Sequence, residues 1–183
     1  MARPILGLVG RKRTGKDTVA ARLVEAHGFV RYAFADELRR AALALNPIIV
    51  PGNTPWGSYR LSEIVTADGW EKAKEDPEVR RTLQNYGVAI RELDPDFWVR
   101  LVLREVNDDP RPVVITDVRF PNEARAVEDV GGVLARVVRP GLDESDIHAS
   151  ETALTDYPTK FDLLNDRDVP ALHRHADELV NLL

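Results

Sequence analysis

Ile5-Leu6-Gly7-Leu8-Val9-Gly10-Arg11-Lys12-Arg13-Thr14-Gly15-Lys16-Asp17-Thr18 is an apolar run that breaks into a glycine-framed basic loop. Gly10 and Gly15 bracket four residues and Lys16 follows, which is the G-x-x-x-x-G-K spacing of a phosphate-binding loop. Glycines let the chain curl so that successive backbone N–H groups point inward at phosphate oxygens. The lysine ammonium reaches the terminal phosphates, and the next helix turns its positive dipole end to the anion. The flanks agree: Ile5–Val9 reads as a buried strand and residues 18–26 as an amphipathic helix. The loop therefore nominates Gly10, Arg11, Lys12, Arg13, Thr14, Gly15, Lys16, Asp17 and Thr18 as phosphate and cofactor contacts. One departure stands out. Asp17 occupies the position after the lysine, where a Ser or Thr serves a magnesium ion in this motif, and Thr18 comes one step later.

Composition is compatible with that start. The chain has 183 residues, 44% of them hydrophobic, enough for one domain with a full core. Its net charge of −5 argues against a nucleic-acid polymer as the main partner, because duplex binders carry a basic face. Small anions need only a locally basic pocket. The absence of cysteine excludes disulfides and thiolate metal sites. Residues 1–4 lead into the first strand without a signal-peptide pattern, and no apolar stretch approaches membrane-spanning length. A soluble cytoplasmic enzyme with no membrane partner is expected. A homodimer is left open.

Strand-like and helix-like segments alternate, which predicts an α/β domain with a mostly parallel sheet. Strands are expected at 28–33, 113–116, 133–138 and 161–164, and helices at 35–45, 61–67, 70–74, 77–92, 95–107, 121–130 and 170–183. Residues 46–60 read as loop, because Pro47, Pro51, Gly52, Pro55 and Gly57 break regular structure. Two stretches interrupt the alternation, 46–108 and 140–160. In a nucleotide-handling fold these are expected to be an acceptor-binding insertion and a lid, since ligands sit beyond the carboxyl ends of the strands.

Candidate chemistry is spread along this frame. Asp117 ends the apolar strand at 113–116, where a carboxylate either serves a magnesium ion or caps the following turn. With Asp17 it would place two hard-oxygen ligands near one cation. In the helix at 77–92, Val79, Leu83, Tyr86 and Ile90 recur at core spacing, beside a stripe of Arg80, Gln84, Gly87 and Arg91. That stripe suits a phosphate and a base edge, with the glycine admitting close approach, or else it is a solvated polar face. Phe34 either stacks on a base or joins the core, and Asp36 either accepts from a sugar or base or caps a helix. Trp98 reads as core, and Arg119 as a charge facing the phosphate site. His148, Ser150 and Glu151 fall in the lid stretch and lack the partners of a nucleophilic triad. Asn165 follows the last strand, a place where backbone groups grip an adenine.

Together the set resembles a known family. Gly10–Thr18 with its Gly-Lys-Asp-Thr, Phe34-Ala35-Asp36, the helix around Leu83-Gln84 and Gly87, the run Asp117-Val118-Arg119-Phe120-Pro121-Asn122-Glu123, and His148-Ala149-Ser150-Glu151 are similar to the phage-type deoxynucleoside monophosphate kinases. The likeness runs through residues 5–180 and is weakest at 46–76. The first strand and loop also resemble animal-type phosphomevalonate kinase, a small-molecule phosphate kinase and the nearest rival. A P-loop NTPase or nucleotide-binding module without an acceptor is a further alternative, against which the arginine stripe counts.

The resemblance implies a three-layer P-loop NMP-kinase-like fold, with a five-stranded parallel sheet, helices on both faces, an acceptor-binding insertion and a lid. It implies ATP and Mg2+ as cofactors and a deoxynucleoside monophosphate as acceptor, in the cytoplasm (the host's, for a phage-encoded chain). On that basis Gly10 through Thr18 hold ATP, Asp17, Thr18 and Asp117 serve the metal, and Phe34, Asp36, Arg80, Gln84 and Arg91 hold the acceptor. Lys16, Arg13, Arg119 and Arg139 supply charge at the transfer site. Residues 140–166 contain no arginine, so charge screening is expected from the basic loop, Arg13 above all.

Overall fold

Period-two alternation in short apolar runs builds the centre of the molecule. A computed structural model describes residues 3–50, 57–142 and 153–183. Its strands are β1 (Ile5–Val9), β2 (Val30–Tyr32), β3 (Ile48–Val50), β4 (Tyr59–Arg60), β5 (Val113–Ile115), β6 (Val133–Val138) and β7 (Phe161–Leu164). Its helices are α1 (Lys16–His27), α2 (Phe34–Leu45), α3 (Leu61–Ala73), α4 (Pro77–Leu93), α5 (Phe97–Asp108), α6 (Pro121–Asp129) and α7 (Val169–Val180). Five strands form one sheet in the order β2-β5-β1-β6-β7, and all four pairings are parallel. The α/β reading with a five-stranded parallel sheet is confirmed.

Each face of the sheet has its own core. Ile5, Val9, Val113, Ile115 and Leu134 point to one side, where Val99, Val102 and Val106 of α5 and Ala124 and Val127 of α6 cover them. Leu6, Leu8, Val114, Ala135 and Val137 point to the other, under Val19 and Leu23 of α1 and Leu172, Ala176 and Leu179 of α7. Three layers follow from residues that alternate one by one. Gly7 interrupts the apolar run because a Cβ there would stand 2.7 Å from Leu134 Cδ2 and 3.3 Å from Val127 Cγ1.

Connections from β1 reach β5 and β2 on one side, whereas β6 and β7 lie on the other. The strand order therefore switches between β1 and β6, and the crevice beyond their carboxyl ends is where such a sheet takes its ligand. The chain forms two compact units, Met1–Phe34 with Val99–Leu183, and Ala35–Trp98. The second is bounded differently from the 46–108 stretch singled out in the sequence.

In the second unit Ile49, Leu61, Ala73 and Val79 are buried together, and Leu83 and Tyr86 pack against them as the α4 spacing predicts. Trp98 is buried, with edge contacts to Phe97 and Tyr86. The loop expected at 46–60 is corrected in part. Ile48 and Val50 pair antiparallel with Arg60 and Tyr59, because an Ile-Ile-Val run keeps its β preference between breakers. Residues 51–56 lie outside the description. The two helices expected at 61–67 and 70–74 are the halves of α3, which is broken at Gly69 (φ 71°).

Candidate active site

The loop between β1 and α1 is shaped by its glycines. Gly10 (φ 146°) and Gly15 (φ 108°) have backbones that side chains rarely tolerate. A Cβ on Gly10 would lie 2.6 Å from the Val137 carbonyl, and one on Gly15 would lie 2.7 Å from Asn165 Nδ2. Both positions lack room as well as conformational freedom. Gly15 caps α1 without a side-chain hydrogen bond, so the cap supplies no group to the first-turn amides and the helix dipole adds positive potential there. The helix starts at Lys16, two residues ahead of the expected 18–26.

Hydrogen bonds hold the loop in this form. Lys16 Nζ donates to the Gly10 carbonyl at 2.6 Å and to the Arg11 carbonyl at 2.7 Å. Thr14 is buried, and its hydroxyl donates to the Arg11 carbonyl at 2.9 Å. Asn165 Nδ2 donates to the Thr14 carbonyl at 2.8 Å, and Arg139 Nη1 to the Arg13 carbonyl at 3.4 Å. Asn165 thus fastens the end of β7 to the loop.

A cavity of about 380 Å³ opens beside the loop, at the switch point of the sheet. Its wall carries Arg11, Lys12, Lys16, Arg119, Arg136 and Arg139, six cations, and no Asp or Glu among the described residues. Val118, Leu142 and Leu154 add apolar surface. In a chain of net charge −5, this is a concentrated site for an anion. Arg13 is not part of that wall. Its side chain is exposed and its backbone sits in the left-handed region at φ 66°, and the Arg139 guanidinium donates to its carbonyl.

Asp117 lies two residues beyond Ile115, the register partner of Gly7, which brings it level with Val9 at the mouth of the loop. Its Oδ1 accepts the Phe34 N–H at 2.8 Å, closing the junction from β2 to α2. The family-like run that follows is a folded turn. Val118 is buried, Pro121 opens α6, and buried Glu123 accepts the N–H groups of Arg119 at 2.7 Å and Phe120 at 3.0 Å. Asp17 is exposed and Thr18 half-buried at the start of α1.

Other candidates land differently. Phe34 is 5% exposed and belongs to the core with Val99 and Val118, so it is not open to stack on a base. Asp36 pairs with Arg39 at 2.9 Å, and Arg39 lies 5.8 Å from the Trp70 ring centroid. Arg80 and Gln84 are exposed on α4 and Arg91 is half-buried. Arg80 donates to the Lys74 carbonyl at 3.2 Å. Gly87 serves packing, since a Cβ there would stand 3.1 Å from Leu38 Cδ2. That replaces the idea that it admits a ligand. His148, Ser150 and Glu151 lie outside the described residues. Arg136 was missed by the sequence reading, although an arginine inside the apolar strand Val133–Val138 was a usable signal.

The family model of deoxynucleotide monophosphate kinase matches residues 58–175. A protein of Acanthamoeba polyphaga mimivirus, provisionally named a deoxynucleotide monophosphate kinase, is 30% identical over 82% of this chain and 81% of its own. The uncharacterized ORF76 protein of Ictalurid herpesvirus 1 (strain Auburn) is 30% identical over 89% of this chain, which spans 61% of that protein. Among solved structures, TT1252 from Thermus thermophilus covers 100% of the chain, and 99% of its own, at a TM-score of 0.54 and 19% identity. Dephospho-CoA kinase from Campylobacter jejuni covers 98%, and 97% of its own, at 0.50 and 12%. These two likenesses concern the fold.

Proposed function

The chain belongs to the deoxynucleotide monophosphate kinase family, and from that premise we propose that it moves the γ-phosphoryl group of ATP onto the 5′-phosphate of a deoxynucleoside monophosphate. The products are ADP and the deoxynucleoside diphosphate. The observation that carries this reading is the cavity wall beside the P-loop, with six cations and no carboxylate among the described residues. Donor and acceptor are both anions. Two unit charges about 4 Å apart repel by roughly 4 kcal/mol at an effective dielectric constant of about 20. Catalysis must offset that repulsion and align the groups, with little covalent chemistry to perform.

Position supports these roles. Lys16 and the amides of the loop hold the ATP phosphates, and Arg119 and Arg139 carry charge to the transferring group. Val118, Leu142 and Leu154 exclude water that would hydrolyse the donor. Asp17, Thr18 and Asp117 are hard-oxygen groups of the kind magnesium takes. Magnesium, when bound, would neutralise charge on the β- and γ-phosphates. Arg80, Gln84, Arg91 and Asp36, on the Ala35–Trp98 unit, are assigned to the acceptor.

A coupled ADP-release assay with the four deoxynucleoside monophosphates, the ribonucleotides and phosphomevalonate tests the reading. Acceptor-dependent ADP release with at least one deoxynucleotide is expected. A rate equal to the acceptor-free rate with every nucleotide overturns it, and turnover of phosphomevalonate alone moves the chain to the rival reading.

A further inference from the structure

Arg136 is the cation of the cavity wall that no motif announces. It is the fourth residue of β6, whose neighbours Leu134, Ala135 and Val137 are buried in the two cores. Alternation turns it to the face of Leu134. Parallel pairing sets it beside Val9, the last residue before the phosphate loop. Its side chain is 20% exposed and lines the cavity. Nη2 donates to the Tyr157 carbonyl at 2.6 Å, while Nε stands 3.9 Å from the exposed Asp162 carboxylate, beyond hydrogen-bond range.

Placing a guanidinium among Leu, Ala and Val is costly. A tie to one neutral carbonyl engages a small part of its five N–H donors. The tie has a second consequence. Tyr157 is itself fixed by its hydroxyl, which donates to Glu128 of α6 at 2.7 Å. One arm of Arg136 is therefore anchored to a fixed point, and the fork loses less rotamer freedom when its other donors meet a planar anion.

We propose that Arg136 contacts a phosphate group of the bound substrate, as a pre-oriented cation within β6. The contact with an anion rests on the cavity wall, whereas its part in turnover rests on the kinase reading above.

The test separates the two. Titrate tripolyphosphate, which needs no acceptor, into wild type, Arg136→Ala and Arg136→Lys, and record the thermal midpoint and steady-state kinetics of each. Loss of a charge-assisted fork should weaken tripolyphosphate by about tenfold or more in Arg136→Ala. Arg136→Lys keeps the charge and can hold the Tyr157 carbonyl. One ammonium cannot serve both partners in fork geometry, so it should keep its thermal midpoint and still bind tripolyphosphate more weakly. In both variants kcat should fall more than KM for ATP rises, and added guanidinium should restore part of kcat in Arg136→Ala. Unchanged tripolyphosphate affinity in a folded variant overturns the proposal, as does weakening that tracks loss of fold in Arg136→Ala while Arg136→Lys binds like wild type. If wild type binds tripolyphosphate but phosphorylates no nucleotide, the kinase reading fails and the Arg136 contact is still decided by the titration.

Discussion

Single residues divide by whether their side chains reach the cavity. Lys16 Nζ rests on the carbonyls of Gly10 and Arg11, so the ammonium is already held over the loop proposed to take the phosphates. Lys16→Ala should lower kcat by about a hundredfold or more, because one preorganised charge at a reacting group is worth several kcal/mol. ADP release by a protein with a native circular dichroism spectrum checks this, and near-normal turnover would remove Lys16 from the reaction. Arg13 is the contrast. With its side chain exposed and outside the wall, Arg13→Ala should leave kcat within about threefold, the scale of an exposed surface change. A large drop in kcat at constant ATP affinity would return it to the transition state. The loop was legible because glycine spacing is a backbone requirement written into the sequence. Arg136 was harder: alternation in the strand gives the face it shares with Leu134, but what lies across from it is set by tertiary pairing, which no local pattern records.

Among the elements, α1 and α7 cover one face of the sheet and are tied by charge as well as by packing. Asp177 of α7 accepts two bonds from Arg22 at 2.8 Å and lies 2.8 Å from His27 Nε2. Arg22 first, then His27, hold the Asp177 carboxyl well below the usual carboxylate range. A depressed folded-state pKa contributes stability above the unfolded value, about 3.9 for Asp, and that contribution is lost as pH falls toward the folded value. Asp177→Asn should therefore lower the thermal midpoint at pH 7. The gap to wild type should narrow progressively below about pH 4, as wild type loses the ion pair that the variant already lacks. Equal midpoints at pH 7 would show that the cluster contributes nothing to stability. Element positions were largely readable, because Val113–Ile115 and Val133–Val138 are apolar runs too short for helices. The β3–β4 pair was hidden. Its strands are three and two residues long, and breakers at Pro47, Pro51 and Pro55 mask a preference that tertiary pairing then satisfies.

At the scale of the molecule, the chain divides into two compact units. The phosphate loop belongs to the unit of Met1–Phe34 and Val99–Leu183, and α4 to the unit Ala35–Trp98. The sequence pointed to an insertion but set it at 46–108. The periodicity of α5 reads the same whichever core it serves, and Val99, Val102 and Val106 serve the sheet. The stripe of Arg80 and Arg91 was equally ambiguous in the sequence, since an exposed helix face carries charge by default. Kinetics decide between an acceptor site and a solvated face. Arg80→Ala and Arg91→Ala should raise KM for the deoxynucleoside monophosphate by tens-fold, about the 2–3 kcal/mol of a guanidinium–phosphate contact, and change the Kd of ATP by less than about twofold. Steady-state kinetics over acceptor concentration, with ATP binding followed by calorimetry, measures both. Arg80 also donates to the Lys74 carbonyl, so a purely structural role would lower the thermal midpoint and leave KM alone. If ATP affinity falls while acceptor KM stays constant, the acceptor site belongs elsewhere and the stripe on α4 is a solvated face.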